Sequence, residues 1–129
     1  MATTSPREIA LGFLSAIVDG DIDECARLLA DDATWWVQGW GERPATDFIA
    51  SLGQTIARST SRSMRIGMTT AEDDRVAVQA WGEFHFAEGI YANSYHYLFR
   101  IVEGRIVAGY EYLDTAVAGR FFGGGGDPS

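Results

Sequence analysis

Residues 94–114 read SYHYLFRIVEGRIVAGYEYLD, and the reading of this stretch decides the fold. Tyr95, Tyr97, Phe99 and Ile101 recur at every second position before Glu103-Gly104, and Ile106, Ala108, Tyr110 and Tyr112 after it. Period-two spacing about a tight turn predicts an antiparallel hairpin. A two-residue loop pairs Val102 with Arg105, and the same register then sets Tyr97 against Tyr110, Tyr95 against Tyr112 and His96 against Glu111. Side chains alternate across a strand, so His96, Leu98, Val107, Gly109 and Glu111 are expected to share one face and the tyrosines the other. A three-residue loop with a bulge would break that register.

The strand before it, RVAVQAWGEFHF at 75–86, turns at Glu88-Gly89. That turn sets Trp81 opposite His96 and Glu83 opposite Ser94. Two successive hairpins thus predict one polar group, Glu83, His96 and Glu111, walled by Trp81. Directly opposed side chains approach within about 5 Å at Cβ, so His96 and Glu111 are expected to hydrogen-bond. Phe84, Phe86, Tyr91, Tyr95, Tyr97, Tyr110 and Tyr112 fall on the other face. So aromatic a face is either wrapped inward by sheet curvature or covered by a second subunit, and a homodimer through it is the expectation.

Upstream the period is helical. Ser5-Pro6-Arg7-Glu8 carries a serine cap, a proline at the first helical position and a glutamate three residues after the cap. Ile9, Phe13 and Ile17 mark one face of that helix, and Gly20 ends it. Asp21 and Glu24 repeat the capping pattern for a second helix with Ile22, Cys25, Leu28 and Leu29. ATWWVQG is a short strand, GWGERP breaks it, and a third helix starts near Thr46 or Asp47 with Phe48, Ile49, Leu52 and Ile56 inward. SMRIGMT, at 63–69, returns to period two. The expected architecture is α+β: a curved antiparallel sheet with three N-terminal helices on its concave face.

The chain of 129 residues suits one domain, expected over 1–120, with 121–129 a flexible Gly-rich tail. Eighteen acidic against ten basic residues give a net charge of −8, which disfavours nucleic acid and anionic membranes as partners. The single cysteine, Cys25, cannot form an internal disulfide and reads as core filler suited to a reducing cytoplasm. The N-terminus has no basic segment followed by an apolar run, and no apolar stretch reaches membrane-spanning length, so a cytoplasmic protein is expected. Two histidines and one cysteine offer no metal site, and no glycine motif cradles phosphate, so no cofactor is expected. Asp31, Asp32, Asp73 and Asp74 read as turn and capping residues, and His85 as surface.

AIVDGDIDECARLLADDATW resembles the helix-helix-strand opening of the nuclear transport factor 2-like superfamily. NSYHYLFRIVEGRIVAGYEYLDTA resembles the closing hairpin of its SnoaL-like branch, which includes polyketide cyclases, ketosteroid isomerases and limonene-epoxide hydrolases. The resemblance implies a cone-shaped fold with an active site between the helices and the concave sheet face. The isomerases' oxyanion-hole tyrosine matches Phe13, their general base matches Val37 and their second oxyanion-hole acid matches His96. With two of those three positions changed, ordinary ketosteroid isomerisation by that machinery is not expected. The hydrolases' two acids match Glu83 and Glu111, and their bridging arginine matches Trp81. The acid-and-histidine pattern of the SnoaL-type cyclases fits Glu111 and His96 best.

These readings predict cofactor-independent acid/base chemistry on a small hydrophobic molecule: isomerisation, cyclisation, dehydration or epoxide hydration. Glu111 is the expected proton carrier, His96 its partner or oxyanion stabiliser, and Glu83 a second acid. Phe13, Trp35, Val37, Trp81 and Leu98 are the expected pocket wall, with Trp40 at its mouth. The alternative is a non-catalytic ligand-binding or dimerisation module of the same fold.

Overall fold

The computed structural model describes residues 4–123. Helix α1 (Pro6–Asp19) starts as its sequence predicts: the Ser5 hydroxyl accepts from the Glu8 backbone N–H at 3.2 Å, and Gly20, at φ 74°, takes the left-handed turn that ends it. Asp21 caps α2 (Ile22–Leu28) in the same way, through Glu24. Helix α3 (Ala45–Arg58) buries Phe48, Leu52 and Thr55. The strands are β1 (Leu29–Val37), β2 (Gly41–Pro44), β3 (Ser61–Glu72), β4 (Arg75–Phe86), β5 (Gly89–Val102) and β6 (Arg105–Leu113), followed by α4 (Thr115–Phe122). They form one curved sheet in the order β2-β1-β6-β5-β4-β3. Helix α1 crosses β3 to β6, and α3 lies on β1 and β2.

The sheet is mixed rather than antiparallel, because β1 runs parallel to β6. Parallel neighbours cannot be joined by a tight turn, and β1 and β6 are separated by α3 and four strands of intervening chain. GERP also adds a short edge strand, β2, where a break was expected. Helix α4 is a further departure. Its cap, Asp114, accepts from the N–H groups of Ala116 and Val117, and Phe121 and Phe122 pack on Phe86 and Tyr91 at ring separations of 4.8–6.4 Å. Phe121 and Phe122 therefore belong to the folded domain and not to a tail; residues 124–129 lie outside the described residues.

Two register shifts decide which side chains meet. Between β4 and β5 the turn is Ala87-Glu88, with Phe86 paired to Gly89, so Trp81 faces Ser94 and His96 faces Gln79. This is a slide of two residues from the expected pairing, which leaves every side chain on its expected face. Between β5 and β6 the turn is the expected Glu103-Gly104, both at positive φ, 53° and 79°. Ile101 pairs with Ile106, but Arg100 then pairs with Ala108, leaving Val107 as a bulge. A one-residue slip inverts every later side chain. His96 consequently pairs with Tyr112, and Glu111 pairs with Tyr97.

Burial explains why the slipped register wins. It puts Glu111 and Leu113 on the helix-covered face beside Tyr95, Tyr97 and Phe99, where all are buried. Phe84, Phe86 and Tyr91 join them, so most of the aromatic face expected to carry a homodimer is core, closed to a second subunit by the chain's own helices. Each large apolar side chain buried in this way contributes roughly 2 kcal/mol. Tyr110 and Tyr112 remain on the outer face with Trp36, whose ring lies 6.4 and 4.8 Å from theirs.

Candidate functional site

Glu111 is 4% exposed and is the one buried carboxylate among the described residues. Strand β6 points it inward, beside Trp35 of β1, whose Nε1 donates to Glu111 Oε1 at 3.1 Å. The Trp35 ring stacks on Phe48 at 4.2 Å and 9° between planes, with Phe13 and Phe99 at 5.3 and 5.9 Å. Across the strand pair, Tyr95, Tyr97 and Phe99 stack as a ladder with 5.3 and 5.9 Å between rings. Burial keeps the hydroxyls of Tyr95 and Tyr97 protonated far above the ordinary tyrosine range. The negative charge of Glu111 is the next cause at Tyr97, while at Tyr95 neighbouring tyrosines come before it. Tyr91 is raised too, chiefly by burial, and shares a hydrogen bond with Tyr95.

The tyrosine wall is tied to the end of the sheet through Asn93. Its Nδ2 donates to the Tyr91 hydroxyl at 2.8 Å and to the Asp114 carbonyl at 3.0 Å, while its Oδ1 accepts from the N–H groups of Ser94 and Asp114. Each polar group of this buried amide is thus used in fixing β5 to the start of α4. On the other side of the layer, Arg43 of β2 lies 5.7 Å from the Phe48 ring centre and donates to Ser51 Oγ at 3.0 Å. A buried acid bordered by protonated hydroxyls is equipped to give or take a proton in a low-dielectric setting.

The outer face holds the other expected catalytic residues. His96, Trp81 and Glu83 share it, as expected of each other, but the Val107 bulge separates them from Glu111 by the thickness of the sheet. The predicted His96–Glu111 pair therefore does not form, and neither does the predicted triad with Glu83. Glu83 Oε1 instead meets His85 Nε2 at 3.2 Å. Trp81 lies under the Arg65 guanidinium, 3.8 Å from the ring centre. Around these residues a groove of about 730 Å³ opens, lined by Met68, Gln79, Trp81, Ser94, His96 and Tyr112.

Of the expected pocket wall, Trp35 and Val37 lie beside Glu111 and Phe13 packs on Trp35, but all three are at most 2% exposed, so they form solid packing. Leu98 is half-buried on the outer face, and Trp40 is half-buried against the core at the β1–β2 turn. The sequence reading missed Tyr97, Asn93 and Arg43. The bulge that turns Tyr97 toward Glu111 leaves no compositional mark, and GERP reads as a loop. Cys25 is buried, with its thiol pushed up to about 12 by burial, as core filler should be.

Among the described residues no three histidine, cysteine or acidic side chains group as metal ligands, and no helix is long and apolar enough to cross a membrane. No curated protein matches the chain. Solved structures do. A limonene-epoxide-hydrolase-like epoxide hydrolase of Mycobacterium tuberculosis is 19% identical, over 86% of this chain and 84% of that one, with a TM-score of 0.77. IdmH of Streptomyces antibioticus, named as a candidate polyketide cyclase, is 16% identical over 88% and 95%, with a TM-score of 0.76. AusH of Aspergillus nidulans is 13% identical over 85% and 84%, at 0.77. At these identities the likeness is one of fold. The SnoaL-like domain model matches residues 10–109, most of the chain, and the protein belongs to the SnoaL-like family.

Proposed function

We propose that the protein carries out cofactor-independent acid/base chemistry on a small hydrophobic molecule, with Glu111 as the proton carrier, and that it works as a homodimer through the outer sheet face. The observation that carries this reading is Glu111, the one carboxylate buried among the described residues, bonded by Trp35 Nε1 at 3.1 Å inside an aromatic layer. A buried carboxyl with an N–H donor on one oxygen is shielded from bulk water and fixed in direction, which suits it to pass a proton to or from a bound molecule. Tyr95 and Tyr97 supply hydroxyls that stay protonated and stabilise a developing oxyanion. The aromatic character of the layer matches an apolar, ring-bearing substrate, which reaches Glu111 only where the packed layer opens. Structural neighbours named as an epoxide hydrolase and a candidate polyketide cyclase support this class of chemistry. His96 and Glu83, on the opposite face, take no part in it.

The test is a panel of epoxides, β,γ-unsaturated ketones and cyclisable polyketide mimics, run with the native protein and Glu111→Gln. The expected result is turnover of at least one class by the native chain, lost in the variant while ligand affinity persists. Equal turnover by both proteins, or none of the panel converted, would contradict the reading. The non-catalytic alternative is favoured by one observation: Phe13, Trp35 and Phe99 are wholly buried, while the 730 Å³ groove opens on the outer face. It predicts ligand binding without conversion, insensitive to Glu111→Gln.

A further inference from the structure

We infer that Trp35 is the positioning residue of Glu111, and that Gly109 is what admits its ring to that position. Gly109 lies on β6 two residues before Glu111 and pairs with Trp35 across the parallel strands. A β-carbon at Gly109 would overlap Cζ3 and Cε3 of the Trp35 ring, so the indole occupies the space that any other residue's side chain would fill. From that slot its Nε1 reaches Glu111. Phe48 covers the indole at 4.2 Å, nearly parallel, and Phe13 and Phe99 border it. The ring is held between a bare strand on one side and an aromatic face on the other, and it has no exposed surface through which to swing. An N–H fixed in this way sets the direction of the carboxyl oxygen it bonds and stabilises the ionised form.

The device rests on the proposed role of Glu111 for its catalytic meaning, but its physics can be read without a substrate. The titratable and charged side chains that turn toward this layer include the hydroxyls of Tyr91, Tyr95 and Tyr97 on β5, with Asp114 after β6 and Arg43 on β2 at its edges; His96 and Arg100 of β5 and Tyr110 and Tyr112 of β6 take the opposite sheet face, and α1 and α3 contribute Phe13 and Phe48 to the contact. The tyrosines stay protonated through the range in which a carboxyl titrates. A change of state sensed at the indole N–H in that range is therefore assigned to a carboxyl, and Glu111→Gln identifies which one.

The experiment follows the Trp35 indole N–H proton and the side-chain carboxyl carbon of Glu111 by NMR across pH, assigning the two with Trp35→Phe and Glu111→Gln. In the native protein both resonances should titrate with one midpoint, and the indole resonance should lose its pH dependence in Glu111→Gln. In Trp35→Phe, and in Gly109→Ala where the ring must move, the Glu111 midpoint should rise. An indole resonance that stays flat while Glu111 titrates would overturn the inference, as would an unmoved Glu111 midpoint in both variants. The native and Glu111→Gln measurements decide the matter even where Trp35→Phe fails to fold. Native-level turnover by Glu111→Gln would sink the proposed chemistry and leave this coupling standing, so the two failures are separable.

Discussion

At the scale of single residues, the inner layer places one acid among three tyrosines whose hydroxyls are held protonated by burial. The sign of the consequence follows from which state binds the proton more tightly. The folded tyrosines titrate above the ordinary value near 10, so the unfolded chain releases their protons first. Their contribution to stability is complete below pH 10 and is lost as pH rises beyond it toward the folded value. Urea midpoints should therefore fall steadily above pH 10, and less so in Tyr97→Phe. Phenolate absorbance should meanwhile show Tyr95 and Tyr97 ionising only as the protein unfolds. A native protein that ionised all five tyrosines together near pH 10 would contradict the buried ladder.

At the scale of elements, Val107 separates what could be read in the sequence from what could not. The first two helices announce themselves, since Ser5, Asp21 and Gly20 are local signals that act within one turn of chain. The hairpin turn at Glu103-Gly104 is equally local, because few residues accept positive φ at two successive positions. A bulge three residues beyond it is not local. It is chosen by what the whole strand buries, and the inward burial of Tyr95, Tyr97 and Phe99 depends on helices far away in sequence. Glu111 is therefore recognisable as an acid on a sheet face, but its partner Tyr97 is not, and uninterrupted pairing points to His96 instead. The parallel pairing of β1 with β6 was hidden for the same reason. Deleting Val107 would restore the uninterrupted register and drive Glu111 and Leu113 outward and Tyr112 inward. The expected loss is about 3 kcal/mol or more, read as a lowered urea midpoint at unchanged slope. A deletion variant as stable as the native chain would mean that the bulge does not set the faces.

At the scale of the whole molecule, the sheet has two faces with different work. The helix-covered face is core and holds the acid. The outer face carries Trp36, Tyr110 and Tyr112, with Met68 exposed along the same groove, an apolar and aromatic surface of the kind that associates in water. Sedimentation at micromolar concentration is expected to give twice the chain mass, and Tyr112→Glu to give a monomer with the fold intact. A native monomer under those conditions would remove the dimer from the account.

The separation of Glu111 from His96 by the sheet is the central structural claim, because each register predicts a different catalyst. It is tested most directly by turnover of Glu111→Gln and His96→Gln, side by side on the first substrate identified. The inner-face account predicts a loss of about 10²-fold or more in kcat for Glu111→Gln, with His96→Gln close to the native rate. Comparable losses in both variants would join the two residues in one site and contradict it.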